Sequence, residues 1–173
     1  MNVIVNVDKN WAIGYKGKLL FPISADLKRF KELTIGKVVI MGRKTLESLP
    51  GGKPLKQRKN IVISKTLCIT KEESEKTGLY VCKSIEELFE LLKTNQFIQF
   101  NSEDFFVIGG ENIYKQLLPY CKKAFVTMVE KSASDADAFF PNLQNFSNWQ
   151  IEKSSEKFFQ DEIEYSFVDY VQN

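Results

Sequence analysis

A chain of 173 residues, 43% of them hydrophobic, is sized for one globular domain with a substantial core, and no linker-like stretch divides it. Its net charge of +2, and a longest lysine cluster (Lys53 to Lys59) broken by Pro54 and Leu55, exclude a strong nucleic-acid footprint. The N-terminus lacks a signal-peptide pattern and no apolar run reaches membrane-spanning length, so a soluble cytoplasmic protein is expected, with neither nucleic acid nor membrane as partner.

Val3 to Val7 alternates as a strand and leads into a loop punctuated by Gly14 and Gly17. A helix follows over Ile23 to Leu33; at about 100° per residue, Ile23, Leu27, Phe30 and Leu33 share one apolar arc. Asp26 falls inside that arc, while Lys28, Arg29, Lys31 and Glu32 face elsewhere. Two explanations stand. With Ser24 as N-cap, Asp26 lies in the first turn, where free N–H groups and the positive helix end favour a carboxylate. Alternatively, the carboxylate turns to an apolar wall, a costly placement unless a ligand rich in N–H donors meets it.

Lys37 to Met41 is the next strand, followed by a short helix near Thr45, strands at Asn60 to Ile63 and Leu79 to Val81, and a helix from Ser84 to Leu92 opened by a Ser84/Glu87 capping box. Then come the strand Phe105 to Ile108, the helix Glu111 to Leu118 stopped by Pro119, and the strand Ala124 to Val129. Trp149 to Phe158 and Glu162 to Val171 read as a closing antiparallel hairpin around Gln160-Asp161, and residues 66–78 and 94–104 as surface loops. This alternation predicts an α/β fold: a single domain over residues 1–173, with a central, mostly parallel mixed sheet of about eight strands, a C-terminal antiparallel hairpin, and about four flanking helices.

The chain has no histidine, which removes Ser-His-Asp and Cys-His catalysis and His-ligated zinc. Cys68, Cys82 and Cys121 are widely spaced, with no Cys-x-x-Cys, so neither a disulfide framework nor a thiolate metal site is expected. Chemistry must come from carboxylate, water or a cofactor. Three strands run from β-branched residues into small or cationic ones: Met41-Gly42-Arg43-Lys44-Thr45, Ile63-Ser64-Lys65-Thr66 and Ile108-Gly109-Gly110-Glu111-Asn112. In parallel sheets ligands bind beyond such strand ends, where glycine admits close backbone approach and cations neutralise phosphate. Each segment alone also suits a turn with a solvated cation; their recurrence favours a multiply phosphorylated ligand. Gly-x-Gly-x-x-Gly and the P-loop pattern are both absent.

Five segments in order resemble dihydrofolate reductase: Ala12 to Phe21, Ala25 to Phe30, Val39 to Thr45, Arg58 to Ser64, and Val107 to Tyr114. The resemblance spans nearly the whole chain. It implies that Asp26 is the one ionisable active-site group, accepting two hydrogen bonds from the 2-amino group and neighbouring ring nitrogen of a pterin. It places Ile4, Val5, Leu27, Phe30, Leu49 and Leu55 on the pocket wall, Arg58 against the glutamate carboxylate of the substrate, and Thr127 against Asp26 and the pterin. For the cofactor, NADPH, it implies Arg43, Lys44, Thr45, Ser64 and Lys65 near the phosphates, with Gly42, Ile108, Glu111, Asn112 and Ile113 around them. Gly109 and Gly110 match a glycine pair joined by a cis peptide, Ile13 and Gly14 a mobile loop, and Tyr114 a nicotinamide neighbour. Residues of about 38–104 then form an adenosine-binding lobe, and no metal is implied.

Two departures stand out. Phe21 replaces a common tryptophan whose indole N–H organises a water near the pterin, and Asn112 stands where some members carry an arginine. The implied reaction is hydride transfer from NADPH to carbon 6 of 7,8-dihydrofolate, with water-mediated protonation at nitrogen 5, by a monomer. The alternatives are a riboflavin-pathway pyrimidine reductase of the same architecture and a non-catalytic nucleotide-binding module.

Overall fold

An N-terminal run of alternating branched residues can form an edge strand or a central one. In the computed structural model, which describes residues 1–173, it is central: Asn2–Val7 (β1) is buried on both faces and pairs in parallel with two neighbours. The remaining strands are Ala12–Tyr15 (β2), Lys18–Leu19 (β3), Val38–Gly42 (β4), Lys59–Ile63 (β5), Leu79–Cys82 (β6), Phe105–Gly109 (β7), Lys123–Val129 (β8), Ala138–Phe139 (β9), Trp149–Ser154 (β10), Phe158–Gln160 (β11) and Ile163–Gln172 (β12). The α-helices are Ser24–Thr34 (α1), Arg43–Ser48 (α2), Lys71–Thr77 (α3), Ile85–Leu92 (α4) and Glu111–Leu117 (α5).

The main sheet runs β10-β12-β8-β1-β7-β4-β5-β6, with β11 also paired to β12. From β8 to β6 every pairing is parallel; β12 joins β8 and β10 antiparallel, closing the sheet as expected. Strand alternation splits the core in two. Val3, Val5, Val38, Ile40, Val107 and Val126 pack into the larger cluster, and Ile4, Val39, Met41, Val62 and Phe106 into the second. Because β7, β4 and β5 are parallel neighbours in near-matching register, Gly109, Gly42 and Ile63 end at one edge of the sheet. The three turns bearing small or cationic residues therefore lie at one edge of the sheet.

Several local expectations change. Residues 66–78 are not all loop: α3 forms over 71–77 behind a Thr70 capping box, in which Thr70 Oγ1 accepts from Glu73 N at 3.1 Å. Nor is 94–104 a plain surface loop. Phe97 is fully buried there against Tyr80, edge to face with centroids 4.9 Å apart. Ser84 caps Glu87 N, but the Glu87 carboxylate reaches Lys83 N instead of Ser84 N, so the reciprocal half of the box is missing. The glycine-punctuated loop holds β2 and β3, which join β9 in a separate small sheet, and the C-terminal hairpin is interrupted at 155–157. Arg29 does not face away: it pairs with Asp169 on β12 and lies over the Phe125 and Phe167 rings, tying α1 to the sheet.

Candidate functional site

Asp26 is buried, at 8% exposure, in the first turn of α1. The first-turn position stands, so the helix dipole still favours the carboxylate, but the Ser24 cap does not form. Ile23, not Ser24, is the N-cap, and no side chain of the helix caps it; the Ser24 N–H donates instead to Gln160 Oε1 at 2.7 Å. The Asp26 carboxylate faces across to the sheet, where Thr127 Oγ1 donates to Oδ1 at 2.6 Å and Asn6 Nδ2 donates to Oδ2 at 3.2 Å. Asn6 and Thr127 are direct register partners on β1 and β8, so their side chains rise from the same face. Each carboxylate oxygen has two lone-pair directions, and one on each remains for a ligand. Thr127 meets Asp26, the contact the resemblance implies; Asn6 did not emerge from the sequence, although a lone amide among valines was a visible signal.

The apolar wall assembles in part. Ile4, Phe30, Leu49, Leu55 and Ile108 belong to one cluster, on the sheet face that carries Asn6. Val5 departs from the expectation: strand alternation turns its side chain to the opposite face, into the larger core with Ile113 and Tyr114. Leu27, in the helix arc, is 52% exposed at the surface.

Arg58 is held, not loose. Its Nε donates to Thr34 Oγ1 at 3.2 Å and its Nη1 to the Lys56 carbonyl at 2.8 Å, and partial burial lowers its pKa from the usual arginine value. Behind it sits Asn60, fully buried at the second position of β5. Asn60 Oδ1 accepts from Leu55 N at 2.8 Å, and its Nδ2 donates to the carbonyls of Leu55 at 2.9 Å and Arg58 at 3.1 Å. One amide thus staples the loop bearing both Leu55 and Arg58. Thr34 and Asn60 were missed as site residues because each resembles an ordinary polar residue in its own element.

At the strand ends, a Cβ at each glycine would crowd a neighbouring side chain. A Cβ on Gly109, whose φ is +121°, would lie 3.2 Å from the Tyr114 ring. One on Gly42 would lie 3.1 Å from Ile113 Cγ1, and one on Gly110 would lie 3.3 Å from Thr45 Oγ1. These contacts bring the starts of α2 and α5 together, and Gly109–Gly110 is the cis peptide that the resemblance implies. Arg43 is exposed and pairs with Glu47 at 2.5 Å, while Lys44 and Lys65 are exposed without an ion-pair partner. Ser64 Oγ accepts from Leu67 N at 3.0 Å and Thr66 N at 3.2 Å, shaping the turn after β5.

Other candidates have structural engagements. Glu111 pairs with Lys115 and accepts from Phe139 N at 3.3 Å, tying α5 to β9, and Asn112 is exposed. Tyr114 is buried, donates to the Ile4 carbonyl at 2.8 Å, and has its pKa driven up by burial and secondarily by the Asp26 charge. Ile13 packs partly against the larger core, and Gly14 is buried in the small sheet, where a Cβ would meet the Lys18 carbonyl at 3.1 Å. Arranged this way, a carboxylate with free lone pairs, an apolar wall and an anchored guanidinium can orient a flat, amidine-bearing acid, with an anion-tolerant strand edge alongside.

Comparison with known proteins gives one consistent answer. The family model described as Dihydrofolate reductase matches residues 1–172. Among relatives, the dihydrofolate reductase of Buchnera aphidicola is 37% identical over 150 residues, covering 87% of this chain and 84% of that protein. The dihydrofolate reductase of Bacillus subtilis is 34% identical over 173 residues, covering 98% of this chain and 93% of that protein. The Staphylococcus haemolyticus dihydrofolate reductase is 35% identical over 162 residues, with 94% and 87% coverage.

Proposed function

The chain belongs to the dihydrofolate reductase family, and on that premise we propose that it reduces 7,8-dihydrofolate to 5,6,7,8-tetrahydrofolate with NADPH as reductant. The observation that carries the reading is Asp26: a buried carboxylate held by Thr127 and Asn6, with lone pairs left for the 2-amino group and ring N–H of a pterin.

The remaining assignments are part of the proposal. Ile4, Phe30, Leu49, Leu55 and Leu27 line the pterin and its benzoyl extension, and Val5 contributes through its backbone, since its side chain faces the other core. Arg58, anchored by Thr34, meets the glutamate carboxylate. The reductant fits this chain's residues: Gly42, Gly109 and Gly110 keep the strand ends free of side chains that would crowd Ile113, Tyr114 and Thr45, and Lys44 and Lys65 have no competing carboxylate partner. Arg43, Lys44, Thr45, Ser64 and Lys65 would hold its phosphates, within an adenosine-binding lobe of about residues 38–104, with Ile13, Gly14, Ile108 and Ile113 beside its remaining parts. When bound, NADPH supplies the hydride that carbon 6 receives.

Asp26 does its work by holding the pterin and by favouring its protonated form. The proton at nitrogen 5 comes from an ordered water, because the carboxylate already engages the far edge of the ring. Residues 13–21 shield the reacting faces from bulk water. The chain acts as a monomer. A pyrimidine reductase or a non-catalytic nucleotide binder is not favoured, given the family match along the full chain. The decisive assay is the dihydrofolate-dependent fall in NADPH absorbance: turnover supports the reading, and NADPH binding without turnover overturns it.

A further inference from the structure

Asn6 is a single amide in the run Val3-Ile4-Val5-Asn6-Val7, placed on the central strand of the sheet. Its Nδ2 has two hydrogens and two acceptors: Asp26 Oδ2 at 3.2 Å and the Phe21 carbonyl, also at 3.2 Å. Both partners are pure acceptors, so the amide orientation is dictated by chemistry; reversing it would set Oδ1 against two oxygens. We propose that Asn6 is a positioning residue for Asp26, one side chain that fixes the plane of the carboxylate and ties it to the chain entering α1.

Thr127 alone binds only Oδ1 and leaves the carboxylate free to swing about its terminal torsion. The second bond, to Oδ2, removes that freedom. Because Asn6 and Thr127 are register partners, both bonds reach the carboxylate from the sheet, leaving its outer lone pairs aligned for a two-pronged donor. The same amide holds the carbonyl of Phe21, the residue that replaces the tryptophan common in the family. In this chain the N–H donor beside the carboxylate is therefore Asn6 itself, acting directly and not through an indole-held water. One amide thus links the backbone at Phe21 to the orientation of Asp26.

This inference rests on the reading of Asp26 as the pterin anchor, and a double-mutant cycle separates the two. Asn6→Ala removes one charge-assisted hydrogen bond, so the Kd for dihydrofolate, measured by fluorescence titration, rises about tenfold. The Kd for NADPH stays at the parent value. In an Asp26→Asn background, Asn6→Ala produces no further change, because the charge it positions is gone. Asn6→Ser, which keeps one donor, recovers part of the loss and carries the cycle should the alanine variant not fold. Unchanged dihydrofolate affinity, or an equal loss in both backgrounds, overturns the assignment and leaves Asn6 as packing. A parent protein that fails to turn over dihydrofolate refutes the underlying reading instead.

Discussion

Replacing Asn60 by alanine tests whether a buried amide, remote from any reacting atom, places the arginine that recognises the substrate tail. Asn60 is fully buried, and its side chain satisfies three backbone groups: Leu55 N–H and the carbonyls of Leu55 and Arg58. At about 1 kcal/mol for each net hydrogen bond, truncation costs about 3 kcal/mol. For a domain of this size, that lowers the melting temperature by about 6–12 °C. The functional effect is directional. Arg58 keeps its bonds to Thr34 and Lys56, but its own carbonyl is released, so the loop drifts and the guanidinium loses its aim. The KM for dihydrofolate should rise about tenfold with little change in kcat, the pattern of lost uniform binding. The KM for dihydropteroate, which lacks the glutamate, should move far less. Thermal melts and parallel kinetics on the two substrates read both effects. An unchanged melting temperature, or an equal KM rise for both substrates, refutes the staple.

Asp26→Asn should preserve NADPH binding, measured by titration, and cut turnover near neutral pH by about 100-fold or more; full turnover would remove Asp26 from its role. Gly109→Ala forces a side chain into the left-handed region and against the Tyr114 ring at 3.2 Å, so NADPH affinity and melting temperature should fall together. Thiol titration of the folded protein should give one fast-reacting group, Cys68, because Cys82 and Cys121 are buried with pKa values pushed up to about 12; all three should react after denaturation. Lys37 beside Asp104, first by hydrogen bond, holds that carboxyl below its usual value of 3.8. Its stabilisation is present above the unfolded value and lost as pH falls through the lower folded one. Asp104→Asn should accordingly melt lower than the parent at neutral pH, and the gap should close in acid below pH 3.8.

Much of the architecture was legible because it is written locally. The alternation in Val3 to Val7, the branched runs before Gly42 and Gly109, and the arc of Ile23 and Phe30 each need only a few consecutive residues to be read. Where reading failed, the cause was also physical. The α3 segment, Lys-Glu-Glu-Ser-Glu-Lys-Thr, has no buried residue and hence no periodic apolar signal; its helix rests on the Thr70 capping box. Two-residue strands such as β3 and β9 are too short to show any period and exist through their pairing with β2.

By itself, the sequence determined the α/β order, the three strand ends bearing small or cationic residues, the absence of imidazole chemistry, and the anomaly of an acid in an apolar arc. Tertiary structure alone decided what Asp26 meets. Its two hydrogen bonds join residues 20 and 101 positions apart, and the staple on Arg58 depends on β5 being buried between β4 and β6. Local periodicity encodes which face a side chain takes; which partner waits across that face is settled only when strands distant in the chain fall into register.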